Sequence, residues 1–120
     1  MTEQMKSEFD QFNEVFLLEF TGGDQVLRHE ILSEFRNNFF QYVRELDANR
    51  SDTHQVRQML HRLKGAARSV GGTAIGEACS AVEAEFFDDT GSAVEGHQTR
   101  QAEALDRFLR DCHSFLKNTN

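Results

Sequence analysis

Three features of the chain predict an all-α fold, an antiparallel four-helix bundle with a short additional N-terminal helix. No proline occurs in its 120 residues, so nothing blocks helical hydrogen bonding along the way. Apolar residues recur every three to four positions over long stretches and never alternate for long. Two glycine pairs, Gly22–Gly23 and Gly71–Gly72, punctuate those stretches where helices should end. Hydrophobic residues make up 38% and charged residues 28%, the balance of a soluble globular chain, and the length suits one domain over residues 1–120.

The first helix is expected over 4–21, where Met5, Phe9, Phe12, Phe16 and Phe20 repeat as one apolar stripe. Asp24 can cap a second over 24–48, whose wide apolar face carries Leu27, Ile31, Leu32, Phe35, Phe39, Tyr42, Val43 and Leu46. Ser51 or Asp52 can open a third over 52–70, with Val56, Met59, Leu60, Leu63, Ala67 and Val70 on one side. Thr73 can open a fourth over 73–88, striped by Ile75, Ala78, Cys79, Val82 and Phe86. The segment "DDTGSAVEG" reads as loop, with a middle that could already be helical. The last helix, 93–117, carries Leu105, Phe108, Leu109, Cys112, Phe115 and Leu116. Eleven phenylalanines should supply much of the core.

Charge and composition exclude several classes of function. A formal charge of −7 argues against binding a nucleic-acid backbone, which needs a basic surface. No apolar run approaches the roughly 18 residues a membrane helix requires. No basic start followed by an apolar block marks an export signal, so a cytoplasmic location and a monomeric state are expected. Cys79 and Cys112 fall at apolar helix positions and read as buried, reduced thiols.

The stretch "MLHRLKGAARSVGG", residues 59–72, holds the chemistry. A glycine inside a helix costs about 1 kcal/mol relative to alanine, so Gly65 needs a reason. On a wheel of about 100° per residue, His61 lies roughly 140° from Val56, Gly65 about 180°, Arg68 about 120° and Lys64 about 80°. His61 should therefore stand toward water with cations beside it, His54 and Arg57 sharing the outward face. Gly65 should leave a notch next to the imidazole. A neutral imidazole has a free ring lone pair that can take a phosphoryl group. Lys64 can neutralise the arriving oxygens, and Arg68 could add charge support. The missing side chain at Gly65 gives a second protein access.

His61 to Gly71, "HRLKGAARSVG", matches H-x-x-K-G-x5-G, and the chain thereby resembles the histidine phosphotransfer (HPt) domains of multistep phosphorelays. Four identities at fixed spacing arise by chance in roughly one chain in a thousand of this length. "GGDQVLRHEILSEF" and "ACSAVEAEF" look like the family's stretches before its long second helix and after its motif. The resemblance implies a phosphocarrier of a two-component phosphorelay, passing a phosphoryl group reversibly through His61 between receiver-domain aspartates. It puts the phosphoacceptor on His61, the phosphoryl-side lysine on Lys64 and the access glycine on Gly65. It implies receiver domains of hybrid kinases and response regulators as partners, with Mg²⁺ held by the receiver and no cofactor of the chain's own. Members often carry Gln or Glu 22 positions beyond the histidine, here Glu83. That residue could accept a hydrogen bond from Nδ1–H of His61 and leave Nε2 reactive; a solvated carboxylate is the alternative. Ala66 and Ala67 stand where many members have serine.

Docking needs apolar surface, and Leu17, Leu18, Val26 and Phe40 fall off the main stripes, so some should be exposed near His61. Three other readings compete. The phosphoacceptor domain of a chemotaxis-type kinase shares motif and bundle, although Met1 and the polar tail "LKNTN" suggest a complete small protein. A pure receiver-binding module would never be phosphorylated. A metal-binding bundle would draw on His29, His54, His61, His97, His113 and the cysteines, but inward Glu-x-x-His pairs are missing. No phosphate-cradling G-x-x-x-x-G-K-[ST] loop is present, so ATP is not the direct donor.

Overall fold

The computed structural model describes residues 8–117, and these form a helical bundle closed at one end by a short helix. A 3₁₀ turn (Glu8–Asp10) precedes α1 (Glu14–Thr21), α2 (Gln25–Ala48), α3 (Thr53–Arg68), α4 (Thr73–Phe86) and α5 (Gln98–Lys117). The last four pack in a ring, α2 on α3, α3 on α4, α4 on α5 and α5 on α2, with α3 and α4 the most intimate pair.

Caps set the starts of the middle helices. Asp24 accepts from Leu27 N at 3.0 Å to open α2, and Asp52 accepts from His54 N and Gln55 N at 3.1 and 3.2 Å to open α3. Gly72, rather than Thr73, is the N-cap of α4 and offers no side-chain bond. Gly71 ends the third helix in the left-handed region at φ 78°, and its carbonyl accepts from Asn13 N at 2.8 Å. A Cβ there would also sit 3.1 Å from Phe16 Cδ1, so the turn takes glycine for conformation and for packing.

Two expected helices differ from what is found. The stretch expected as one helix over 4–21 is broken: the 3₁₀ turn stops at Asp10 and α1 begins at Glu14, while residues 4–7, with Met5, lie outside the described residues. Asn13 makes the break, its side chain accepting from Phe16 N at 3.0 Å and restarting the helix. The phenylalanines on either side stay in phase but split their work. Phe9 meets Phe108 at 5.9 Å between ring centroids, and Phe12 meets Phe35 at 5.8 Å and Phe115 at 6.2 Å. Phe16 and Phe20 stack on each other at 5.8 Å, with Phe20 exposed.

The helix expected from residue 93 starts at Gln98. Asp88 accepts from Thr90 N and Ser92 N at 2.9 and 3.0 Å, Val94 N donates to Phe86 O at 2.8 Å, and Phe87 pairs with Ala93 in a lone antiparallel bridge. These bonds claim the backbone groups a helix would need. Gln101 then ties the start of α5 down, donating to Glu85 O and Val94 O at 3.0 Å each.

The core runs down the middle of the ring through Phe39, Leu46, Val56, Leu60, Leu63, Ile75, Leu105 and Phe115, each burial of this size contributing about 1.5–3 kcal/mol. Cys79 and Cys112 are free and buried in it, as expected. Burial pushes the Cys79 thiol up to about 12 and the Cys112 thiol well above its ordinary value. No described helix is long and apolar enough to cross a membrane.

Candidate functional site

The composition of α3 sets it apart from the rest of the chain. Its sequence, THQVRQMLHRLKGAAR, carries Arg57, Arg62, Lys64 and Arg68 and no acidic residue, in a protein of net charge −7. Val56, Met59, Leu60, Leu63 and Ala67 are all buried, which fixes the roll of the helix and turns His61 and Gly65 outward. His61 is exposed, as the wheel predicts. A Cβ built on Gly65 meets nothing within 4 Å, so the notch beside the imidazole is open to solvent.

The flank of α3 that meets α4 holds a row of cations, each anchored differently. Arg57, one turn before His61, lays its guanidinium over the Phe87 ring at 4.6 Å and donates to Gly91 O at 3.2 Å. Lys64 Nζ lies 3.0 Å from Glu83 Oε1 of α4, the two side chains 19% and 23% exposed. Arg68 lies flat against α4 over Gly76, where a Cβ would come 3.2 Å from its Nε and 3.3 Å from its Cγ. Cys79 sits beneath this row. After burial, the Glu83 charge is the largest influence raising its thiol, and Lys64 and Arg68 pull the other way.

Glu83 is therefore placed otherwise than expected. It takes the Lys64 ammonium rather than a proton of His61, and no hydrogen bond reaches the His61 ring among the described residues. The physical reason is direction. Lys64 projects from α3 onto the α4 flank, while His61 stands about 60° further round toward solvent. Sequence reasoning put Arg57 on the face of His61 but missed Phe87 and Gly76 as parts of the site. Gly76 did leave a signal, since it is a second glycine inside a helix and sits at a buried position.

Of the expected docking residues, one is buried and three are exposed. Leu17 is 0% exposed and offers no surface. Leu18, Val26 and Phe40 are 60%, 69% and 45% exposed. Arg36, one turn before Phe40, reaches over the Phe115 ring of α5 at 5.4 Å, and Arg44 lies over Phe40 itself at 5.8 Å. Phe40 thus belongs to the α5 side of α2, whereas His61 looks out from the α4 side of α3. Val26 lies fourteen residues nearer the N-terminus than Phe40, about 21 Å along the α2 axis. Leu18 stays at that same end, where Glu14 of α1 is bound to Arg28 of α2 at 2.7 Å.

An exposed imidazole and an open notch one turn on thus share the outward face of a cationic helix with no acid. Among the described residues no group of three or more His, Cys, Asp or Glu is arranged to hold a metal ion. A family model described as Hpt domain matches residues 29–118, which takes in α3, α4 and α5 whole. No curated protein and no solved structure matches the chain. With three quarters of its residues covered by that match, the chain belongs to the Hpt domain family, whose members act in histidine phosphotransfer within phosphorelays.

Proposed function

We propose that His61 is the phosphoacceptor, taking a phosphoryl group from an aspartyl-phosphate of one receiver domain and giving it to the aspartate of another. The observation that carries this is the exposed His61 beside a glycine notch with nothing within 4 Å, on a helix bearing four cations and no acid. In the forward step the ring nitrogen attacks phosphorus in line. A P–N bond forms while the acyl-phosphate P–O bond breaks, and the aspartate carboxylate leaves with the electron pair. The imidazole brings the nucleophile, Lys64 and Arg68 supply positive charge on the α4 side, and Gly65 lets the receiver's carboxylate come within bonding distance. The receiver contributes Mg²⁺ at its own acidic pocket, so this chain needs no cofactor.

Docking on the α3–α4 face fits this step better than docking on the exposed apolar residues of α1 and α2. A standard interface covers about 800 Å² on each partner, a disc reaching roughly 16 Å from its centre. Centred on His61, it takes in the outward side chains of α3. A positive helix facing an acidic pocket also speeds encounter.

The test is transfer from a receiver domain charged with acetyl phosphate in Mg²⁺. Acid-labile, base-stable phosphate should appear on this chain and be absent from His61→Gln. Phosphate arriving only with ATP and a kinase core would instead mark the acceptor domain of a chemotaxis-type kinase. Binding without any transfer would leave a receiver-binding module.

A further inference from the structure

On the reading that His61 is the phosphoacceptor, we propose that Lys64 alternates between two anions, Glu83 while His61 is bare and the phosphoryl group once His61 is charged. Glu83 is then a positioning residue that holds the lysine in reserve and weakens the site's grip on phosphate.

Three observations support this. Lys64 Nζ is already committed, 3.0 Å from Glu83 Oε1, in a half-buried pair. That oxygen is buried and takes no hydrogen bond, so the ammonium is what balances its charge. Lys64 also follows His61 by three residues on one helix, which puts their Cβ atoms about 5–6 Å apart and both anions within reach of one flexible stem. An arriving phosphoryl group carries close to two negative charges and outcompetes a single carboxylate. Moving the lysine leaves Glu83 partly buried without its counter-ion, and that cost falls on the phosphorylated state. A carrier benefits from this, because a group held too firmly would not be passed on.

Arg57 and Arg68 cannot take over the role without losing their own anchors. Arg57 is bound to Phe87 and Gly91, and the Arg68 stem is seated on Gly76. Lys64 is the cation of the row whose partner is itself an anion, so its release is an exchange of one negative group for another.

The experiment charges the full chain with phosphoramidate, a donor too small to need docking. The donor's P–N bond breaks, ammonia leaves with the electron pair, and a new P–N bond forms to the His61 ring. The ring proton is then released to ammonia or water. Glu83→Gln should raise the second-order rate of charging, and the lifetime of phosphohistidine followed by ³¹P NMR, by about two- to fivefold, the equilibrium equivalent of a partly exposed ion pair. In a Lys64→Ala background the same change should have no effect. Circular dichroism would confirm that each variant is folded. An unchanged or slower Glu83→Gln, or an equal gain in the Lys64→Ala background, overturns the proposal while the phosphotransfer reading stands. If wild type takes no phosphate at His61 from either phosphoramidate or a charged receiver, the phosphotransfer reading itself falls.

Discussion

Replacing Gly65 separates the stability of α3 from access to His61. Gly65 lies inside α3, outside the left-handed region, and a Cβ there meets nothing within 4 Å. Alanine should therefore fit without strain and stabilise the protein by about 1 kcal/mol, through the backbone entropy glycine loses in a helix. For a domain of this size that raises Tm by about 4 °C. Gly65→Gln should be nearly as stable, since glutamine is a good helix former and its side chain would point into open solvent. Its effect on transfer should be the opposite. A side chain several ångströms long fills the notch a receiver must enter, and a displacement of about 1 Å at the reacting atoms can cost about a hundredfold. The assay pairs thermal denaturation with phosphorylation from two donors, a charged receiver domain and phosphoramidate. Gly65→Gln should lose about a hundredfold with the receiver and stay within about twofold of wild type with phosphoramidate. Wild-type transfer from the receiver would refute the reasoning, as would equal losses with both donors.

Three further outcomes follow from the packing. The Cys79 thiol, pushed up to about 12 by burial, stays protonated in the folded state while the unfolded thiol ionises near 9. Stability should be intact below that unfolded value and fall as pH rises from about 9 toward 12, by about 1.4 kcal/mol per pH unit for each such thiol, and Cys79→Ala should flatten the slope measured by urea titration. Asn13→Ala removes the cap on Phe16 N and should cost about 1 kcal/mol in the same titration, placing the start of α1 under the control of one side chain. Arg57→Ala removes the contacts to Phe87 and Gly91 and should cost about 0.5–1 kcal/mol, with faster hydrogen exchange at the Val94 amide, which bonds to Phe86 O.

The middle of the bundle was legible because its signals are local. Asp24 and Asp52 announce helix starts by reaching their own third residues, and the glycine turn at 71–72 follows from the φ that only glycine adopts easily. The outward turn of His61 was legible for the same reason, since one helix's stripe fixes its own roll. What failed was non-local. Periodicity cannot see a break that leaves Phe12 and Phe16 in phase, so Asn13 went unrecognised as a cap. Leu17 lies off the stripe of a long helix but on the buried side of the short α1 that closes the end of the bundle. The Lys64–Glu83 pair joins two helices across a turn, and neither helix alone reveals which anion the lysine meets.

The most direct test of His61 as phosphoacceptor is NMR of the chain labelled with ¹⁵N at its five histidines, recorded before and after addition of a charged receiver domain with Mg²⁺. One imidazole, assigned to His61 by its loss in His61→Gln, should shift to the position of an N-phosphorylated ring while the other four stay put. A shift at any other histidine, or no shift while the receiver loses its phosphate, would contradict the account.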